Sequence, residues 1–434
     1  MTRGTGEACL ENGVGPRWSS LPLRIRFVTM APEGDSVSVS MNALLPLALA
    51  TVAVISAAGA PLPEPKFRPV NVDTNIAIGY GLAIADVDGD AKPDIVLADK
   101  NQIAWYSNPG WAKHVIAEKL TELDHVCVAA ADIDGDGRAE IAVGAGWNPG
   151  DTTNSGALFF LIPPADRTQR WEPVALPHEP TVHRIQWVRD WQGRMTLVSV
   201  PLHGRGNNPG KGEGAGVKIQ RYRPPANPKD PWEVTVLDES LHKTHNLDPV
   251  EWDGDPAREF LICSKEGVFL SNWSQEKQGN VLVPLTGDAG GGAGEIRLGT
   301  LGTNRFLATV EPMHGNALVI YRPAESGSNP LWARRVLDDS IVDGHAVVCA
   351  DFLGLGRDQV VVGWRAMNRP GVKVGLRLWT PVDAAGTEWR ATMVDDNTMA
   401  CEDLKVGDLN GDGRPDLVAA GRATRNVKVY YNDP

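Results

Sequence analysis

From residue 81 onward, apolar and polar positions alternate in short runs broken by Asp/Gly turns, and the same phrase returns seven times. GLAIADVDGDAKPDIVLAD (81–99), VCVAAADIDGDGRAEIAVGAG (126–146) and LKVGDLNGDGRPDLVAAG (404–421) are near copies. Weaker copies lie at 183–200, 247–264, 295–310 and 346–363. An alternating run, a tight turn and a second apolar run predict a β-hairpin. A third strand follows, as in 103–109, 216–225, 317–323 and 427–434. A fourth comes next in most units: 111–116, 171–176, 232–237, 332–337 and 389–394, each opened by Trp, and the Trp-less NVLVPL at 280–285. Unit seven stops after its third strand, while KFRPVNVD (66–73), ahead of unit one, reads as the missing fourth with Phe67 in the Trp place. A chain whose first strand completes its last unit predicts an all-β ring, a seven-bladed β-propeller of four-stranded blades over 59–434. No helix-period segment of useful length follows residue 60.

Composition adds two constraints. The net charge of −12 supplies no basic stripe for phosphates, which argues against nucleic acid. Five Cys in 434 residues cannot make a disulfide framework, so Cys127, Cys263, Cys349 and Cys401 read as free thiols in apolar strands. Of the 14 Trp, Trp111, Trp171, Trp232, Trp332 and Trp389 open outer strands and are expected to pack between blades. Residues 1–58 stand apart from the repeat. The apolar run Leu44–Ala58 has the length of a signal h-region and small residues suited to cleavage after Ala58. No Lys or Arg separates it from Met41, so an uncleaved anchor is the alternative to export. Export implies a secreted or periplasmic protein with no membrane contact once the signal is removed.

Three turns carry alternating oxygen donors with a Gly at the bend: Asp86, Asp88, Asp90 and Asp94; Asp132, Asp134, Asp136 and Glu140; Asp408, Asn410, Asp412 and Asp416. Such a loop can wrap a hard cation, Ca²⁺ or Mg²⁺, with a stiffening role and no chemistry. The same Asp/Gly pattern also serves as a tight turn with no ion. Unit four keeps Glu251, Asp253 and Asp255. These turns resemble the FG-GAP/VCBS repeat family, which includes the integrin α-subunit propeller, and the resemblance spans 66–434.

The start of each inner strand carries Tyr80, His125, His183, His245, Glu295, His345 and Glu402. Four of the nine His thus share one position beside the expected central channel. Neutral imidazoles round an axis suit Zn²⁺ or Mn²⁺ with an open coordination position. His183, His245 and His345 are the first ligands expected, with His125 fourth. The loops returning to the same end carry Trp147, His203, Arg205, Lys265, His314, Trp364, Arg365 and Arg422.

The whole-chain pattern, with His245-Asn-Leu-Asp248 and Lys265-Glu-Gly-Val, resembles the propeller of the aldos-2-ulose dehydratase family. That resemblance implies an exported carbohydrate-active lyase or dehydratase, acting by metal-assisted β-elimination on a keto-sugar or uronate-type substrate. The resemblance covers the propeller alone, and the family's additional domains are expected to be missing. In that chemistry His203 or His314 would be the base and Tyr80 the acid. Lys265, Arg365 or Arg422 would hold enolate-like charge beside Glu402, and Trp147, Trp364 and Arg205 would contact the sugar. The competing reading is a non-catalytic, integrin-like adhesion propeller. Oligomeric state is not legible.

Overall fold

The computed structural model describes residues 62–434 apart from 275–278, 289, 325–329 and 368. The expected signal sequence within 1–58 lies outside the described residues. The described strands form seven four-stranded antiparallel sheets, and no helix occurs among the described residues. Six sheets take four consecutive strands each. The first blade, for instance, is Gly81–Ala85, Asp94–Asp99, Gln102–Ser107 and Ala112–Glu118. The seventh breaks the rule. Cys401–Gly407, Asp416–Gly421 and Asn426–Asp433 are completed by Lys66–Asp73, with Lys66 opposite Asp433 and Val70 opposite Val429. Closure by the N-terminal strand is therefore observed, and the chain is a seven-bladed β-propeller.

Burial follows position in the blade. Second strands such as Asp94–Asp99 and Glu140–Ala145 are buried throughout, because each is covered on both faces. Outer strands such as Ala333–Asp338 are mostly exposed. The core is not one mass. It divides into seven clusters, each joining two neighbouring blades, such as Val96, Trp105 and Ile116 of blade one with Ile141, Leu161 and Trp171 of blade two.

The outer-strand aromatics fill these seams as expected. Trp111, Trp171, Trp232, Trp332 and Trp389, and Phe67 in the closing strand, each pack into the seam with the preceding blade. The buried indole N–H groups of Trp171 and Trp232 donate to the carbonyls of Arg167 and Pro228, both at 3.0 Å, so neither polar tip is stranded. Four cysteines of the propeller are free thiols, three of them buried.

Trp171→Ala is expected to cost about 3–5 kcal/mol of stability through the cavity left in the seam of blades one and two. Equilibrium urea unfolding of the two proteins checks it.

Candidate functional site

The inner strands of blades three, four, six and seven share one irregularity. Pairing with the second strand slips between Val182 and Arg184, Thr244 and Asn246, Gly344 and Ala346, and Cys401 and Asp403. Each slip is a β-bulge, and the residue left out of the ladder is His183, His245, His345 or Glu402. A bulge re-aims a side chain and leaves backbone groups unpaired. Here the two effects are joined. His183 Nδ1 donates to the carbonyl of His245 at 2.8 Å, and His345 Nδ1 donates to that of Glu402 at 2.6 Å. His245 Nδ1 donates to the Gly294 carbonyl, one residue before Glu295. Each imidazole is thus oriented by the next blade in the ring. A carbonyl partner fixes Nδ1 as the protonated nitrogen and leaves Nε2 as a lone-pair donor.

Blade five has Glu295 at the ring position and supplies its imidazole from elsewhere. His314, in the loop returning from Asn304–Glu311, has a φ of +54° and brings its Nε2 to 2.6 Å from His245 Nε2. Gly294 permits this approach, since a Cβ there would sit 3.1 Å from the Met313 Cα and 3.2 Å from the His314 nitrogen. His345 joins them, with ring centroids 4.7 Å from His314 and 5.5 Å from His245. One nitrogen from each of His245, His314 and His345 lies within 4.8 Å of the others. Burial holds His245 and His345 well below the ordinary range, and desolvation of its ring against this cluster, with the charge of His245 and Arg365, lowers the more exposed His314 too, so all three are neutral. Three neutral nitrogens facing one point are a donor set that fits a borderline divalent metal.

This set differs from the expected one. His183 and His125 do not converge with it. The His183 Nε2 accepts a hydrogen bond from Arg184 at 3.0 Å, while its ring packs edge-on to His245 and stacks on Trp147. His125 points into its own preceding turn, where its Nε2 accepts the Leu120 N–H at 3.2 Å. His314, expected as a base, stands among the converging nitrogens.

The remaining candidates separate clearly. Arg365 and Arg422 both hold buried Glu402, at 2.5 and 2.8 Å, and Arg365 also reaches Asp343 at 3.1 Å. The Arg422 guanidinium lies over the Tyr80 ring, whose hydroxyl donates to Asp124 at 2.9 Å. Burial and Asp124 raise the Tyr80 phenol, which makes it a poor proton donor. Trp364 is 4% exposed, packs in the seam of blades five and six and donates to the Lys373 carbonyl, so it offers no face to a sugar. Arg205 is tied outward to Glu179 and the Thr153 carbonyl, and the Lys265 ammonium reaches the Lys211 carbonyl.

A cavity of about 410 Å³ opens beside the cluster. His203, Lys243, His245, Met313 and His314 line it, with the Pro149–Gly150 and Pro209–Gly210 turns. That volume is in the range of small-ligand sites. His203 is 2% exposed, its Nδ1 has no protein partner, and burial with the nearby Lys243 lowers it to about 4. Lys243 was not expected. It lies just ahead of the strand Thr244–Val250, two residues before His245, where no other unit carries a cation. Also missed were the charges below the ring. Asp248 lies 3.8 Å from Arg297, and Lys405 bonds Asp403 at 2.8 Å. Their signal was present in the inner strands, where His183-Arg-Ile-Gln186, His245-Asn-Leu-Asp248 and Glu402-Asp-Leu-Lys405 place polar groups where an apolar face was assumed. Beneath the ring a gap of only about 20 Å³ remains, room for about one water.

The Asp loops have a common build. The first Asp of each accepts two loop N–H groups: Asp86 from Gly89 and Ala91, Asp132 from Gly135 and Gly137, Asp408 from Gly411 and Gly413. The last acid is buried and takes up backbone donors, as Asp94 does from Val87 and Asn108 and Asp416 from Leu409 and Asn432. Burial, reinforced by Asp88 and Asp86, raises Asp94 to about 7 against those hydrogen bonds. Oxygens of Asp86, Asp88 and Asp90 cluster, as do those of Asp132, Asp134 and Asp136. Asp253, Asp255 and Glu259 of blade four form a further cluster that the degraded repeat concealed. In blade two, Arg167 donates to Glu140 at 3.3 Å and lies 4.0 Å from Asp136, so a guanidinium already offsets part of that loop's charge. A larger cavity of about 710 Å³ adjoins this loop, but its charged groups are largely paired, as Arg194 is with Asp190 and Arg223 with Glu233, and no imidazole or thiol lines it.

Five buried histidines, His125, His183, His203, His245 and His345, and the more exposed His314 beside them have lowered pKa values. Below about pH 6.5 the unfolded chain takes up protons that the native fold refuses, so stability is full above that pH and falls as pH drops. Between pH 7.5 and 4.5 the urea midpoint of His203→Gln should fall by about one proton less than that of the native chain, since raised carboxyls such as Asp94 act equally in both.

Among known proteins, the FG-GAP-like repeat model matches residues 86–143 and the FG-GAP repeat model residues 128–161. The chain is 24% identical over 306 residues to aldos-2-ulose dehydratase of Phanerodontia chrysosporium, covering 64% of this chain and 33% of that protein. It thus spans about a third of the relative's length. Solved structures share the fold: a chain of the mitotic checkpoint complex (TM-score 0.52, 12% identity, covering 90% of this chain and 99% of that one) is one. A chain from the complex of BBS1N with ARL6DN is another (TM-score 0.51, 12% identity, 86% and 98% covered). With the closed ring and its acidic turns in view, the chain is a seven-bladed β-propeller bearing FG-GAP repeats and distantly similar to aldos-2-ulose dehydratase.

Proposed function

We propose that this protein is an exported carbohydrate-active lyase, which eliminates water or an alcohol from a keto-sugar or uronate at the His-lined end of the channel. The observation that carries the reading is the meeting of three neutral imidazole nitrogens, from His245, His314 and His345, the first two of which line a cavity sized for a small ligand. The distant similarity to a sugar dehydratase supports the substrate class. A divalent Zn or Mn held by these three residues would supply Lewis-acid polarisation of a substrate oxygen, which acidifies the neighbouring C–H.

The chain's own groups account for the rest. His203 lines the cavity in its neutral form, so it is the base that takes the C–H proton. The C–O bond breaks as the double bond forms, and His203 returns its proton to the departing oxygen, so no further acid is needed. Arg365, Arg422 and Glu402 act at one remove. Their ion pairs hold the Glu402 backbone whose carbonyl orients His345. Trp147, stacked on His183 and half-buried, is the one candidate aromatic left beside the site. Ca²⁺ or Mg²⁺ in the Asp loops would stiffen the opposite face.

The FG-GAP repeats also favour an adhesion propeller, in which the loops serve a protein partner. Metal content separates the two. Purified protein should carry about one transition metal, lost in His245→Ala and His314→Ala with the Ca²⁺ content unchanged. Metal-loaded protein should convert keto-sugars or uronate oligosaccharides to products with new ultraviolet absorbance, and His203→Gln should retain metal yet lose at least about a hundredfold in rate. Protein that holds Ca²⁺ alone and yields no unsaturated product would falsify the lyase reading.

A further inference from the structure

The site has a charge the proposed chemistry does not use. Lys243 lines the cavity with His203, His245, Met313 and His314 and is half-buried. Among the described residues its ammonium has no carboxylate partner and no hydrogen bond, while Arg365 and Lys405, half-buried like it, are paired with Glu402 and Asp403. No carboxylate lines the cavity. The nearby acids are turned elsewhere: Glu402 to its two arginines, Glu266 to His242 and Glu295 to Asn246. Lys265 adds a second positive charge close enough to act on Lys243, and the field of Lys243 reaches both His203 and His245. A chain of net charge −12 thus presents a cationic pocket at one place, with an ammonium partly withdrawn from water and left uncompensated.

We infer that Lys243 is the counter-charge for an anionic group of the ligand, and that the pocket takes an acidic sugar bearing a carboxylate in preference to a neutral keto-sugar. This rests on the carbohydrate reading and narrows it. A single ammonium matches a monoanion, whereas a phosphate dianion calls for several converging donors; no guanidinium lines this cavity, and the Gly150 and Gly210 N–H groups of its turns are already taken up by Asn148 and Asn208.

The test is calorimetric titration of the zinc-loaded full chain at low salt with glucuronate, its methyl ester and glucose 6-phosphate. Glucuronate should bind about tenfold tighter than the ester, and added salt should shrink the gap. In Lys243→Met, which keeps the length of the stem, the ester should bind as before while glucuronate falls to its level. Equal binding of acid and ester in the native chain, or a gap that survives the substitution, overturns the inference and leaves the carbohydrate reading standing. Tighter, Lys243-dependent binding of glucose 6-phosphate overturns the carboxylate assignment in favour of a sugar phosphate. If no sugar binds, the carbohydrate reading fails and acetate, a monoanionic carboxylate, decides the anion subsite. Binding lost in Lys243→Met upholds the subsite, and its absence in the native chain removes it.

Discussion

Everything in this molecule depends on the pairing of Lys66–Asp73 with Asn426–Asp433. An open row of seven sheets would leave one seam unfilled and two sheet faces wet. Once the ring is closed, each blade is covered on both sides, and its second strand can be apolar on both faces. The seven seams then fix how far each inner strand stands from its neighbours. Only at that fixed spacing can an imidazole in one blade find the bulge carbonyl of the next.

The site uses burial in two opposed ways. It lowers the affinity of His245, His314 and His345 for protons, which keeps their lone pairs available across the neutral range. It also strengthens the ion pairs round them, so that Arg365, Arg422 and Glu402 hold a backbone carbonyl in place and are not free to meet a ligand. Groups that look reactive in the sequence are therefore scaffolding, and Lys243, which looks ordinary, is a cation left without a partner at the cavity wall.

The fold was legible because it is written seven times, and a repeat exposes its own errors: a missing fourth strand in the last unit pointed to 66–73 before unit one. The ring position was legible for the same reason. Which histidines meet was not, because two of the deciding features are not periodic. One is the orientation imposed by each bulge and its acceptor in the next blade. The other is the left-handed conformation of His314, set by the loop it occupies and by the space that Gly294 leaves. Trp364 was misassigned because it follows an apolar run without a break. The strand reaches one residue further than the repeat suggested, and the indole ends in the core. Lys243 and Arg184 escaped because no other unit carries a cation at the matching place. The Asp loops were plain in three units, but the blade-four cluster needed Glu259, which lies beyond the turn where its acids were counted.

The three converging nitrogens come from three consecutive blades, the fourth, fifth and sixth, and so straddle two seams filled by separate clusters of side chains. Occupancy of that point and the packing of those seams are then thermodynamically linked, and linkage runs both ways. Whatever draws the three blades closer raises affinity at the centre, and whatever binds at the centre draws the blades closer. A change in a seam far out toward the rim would therefore be read at the axis as a change in grip, without touching a single ligand atom.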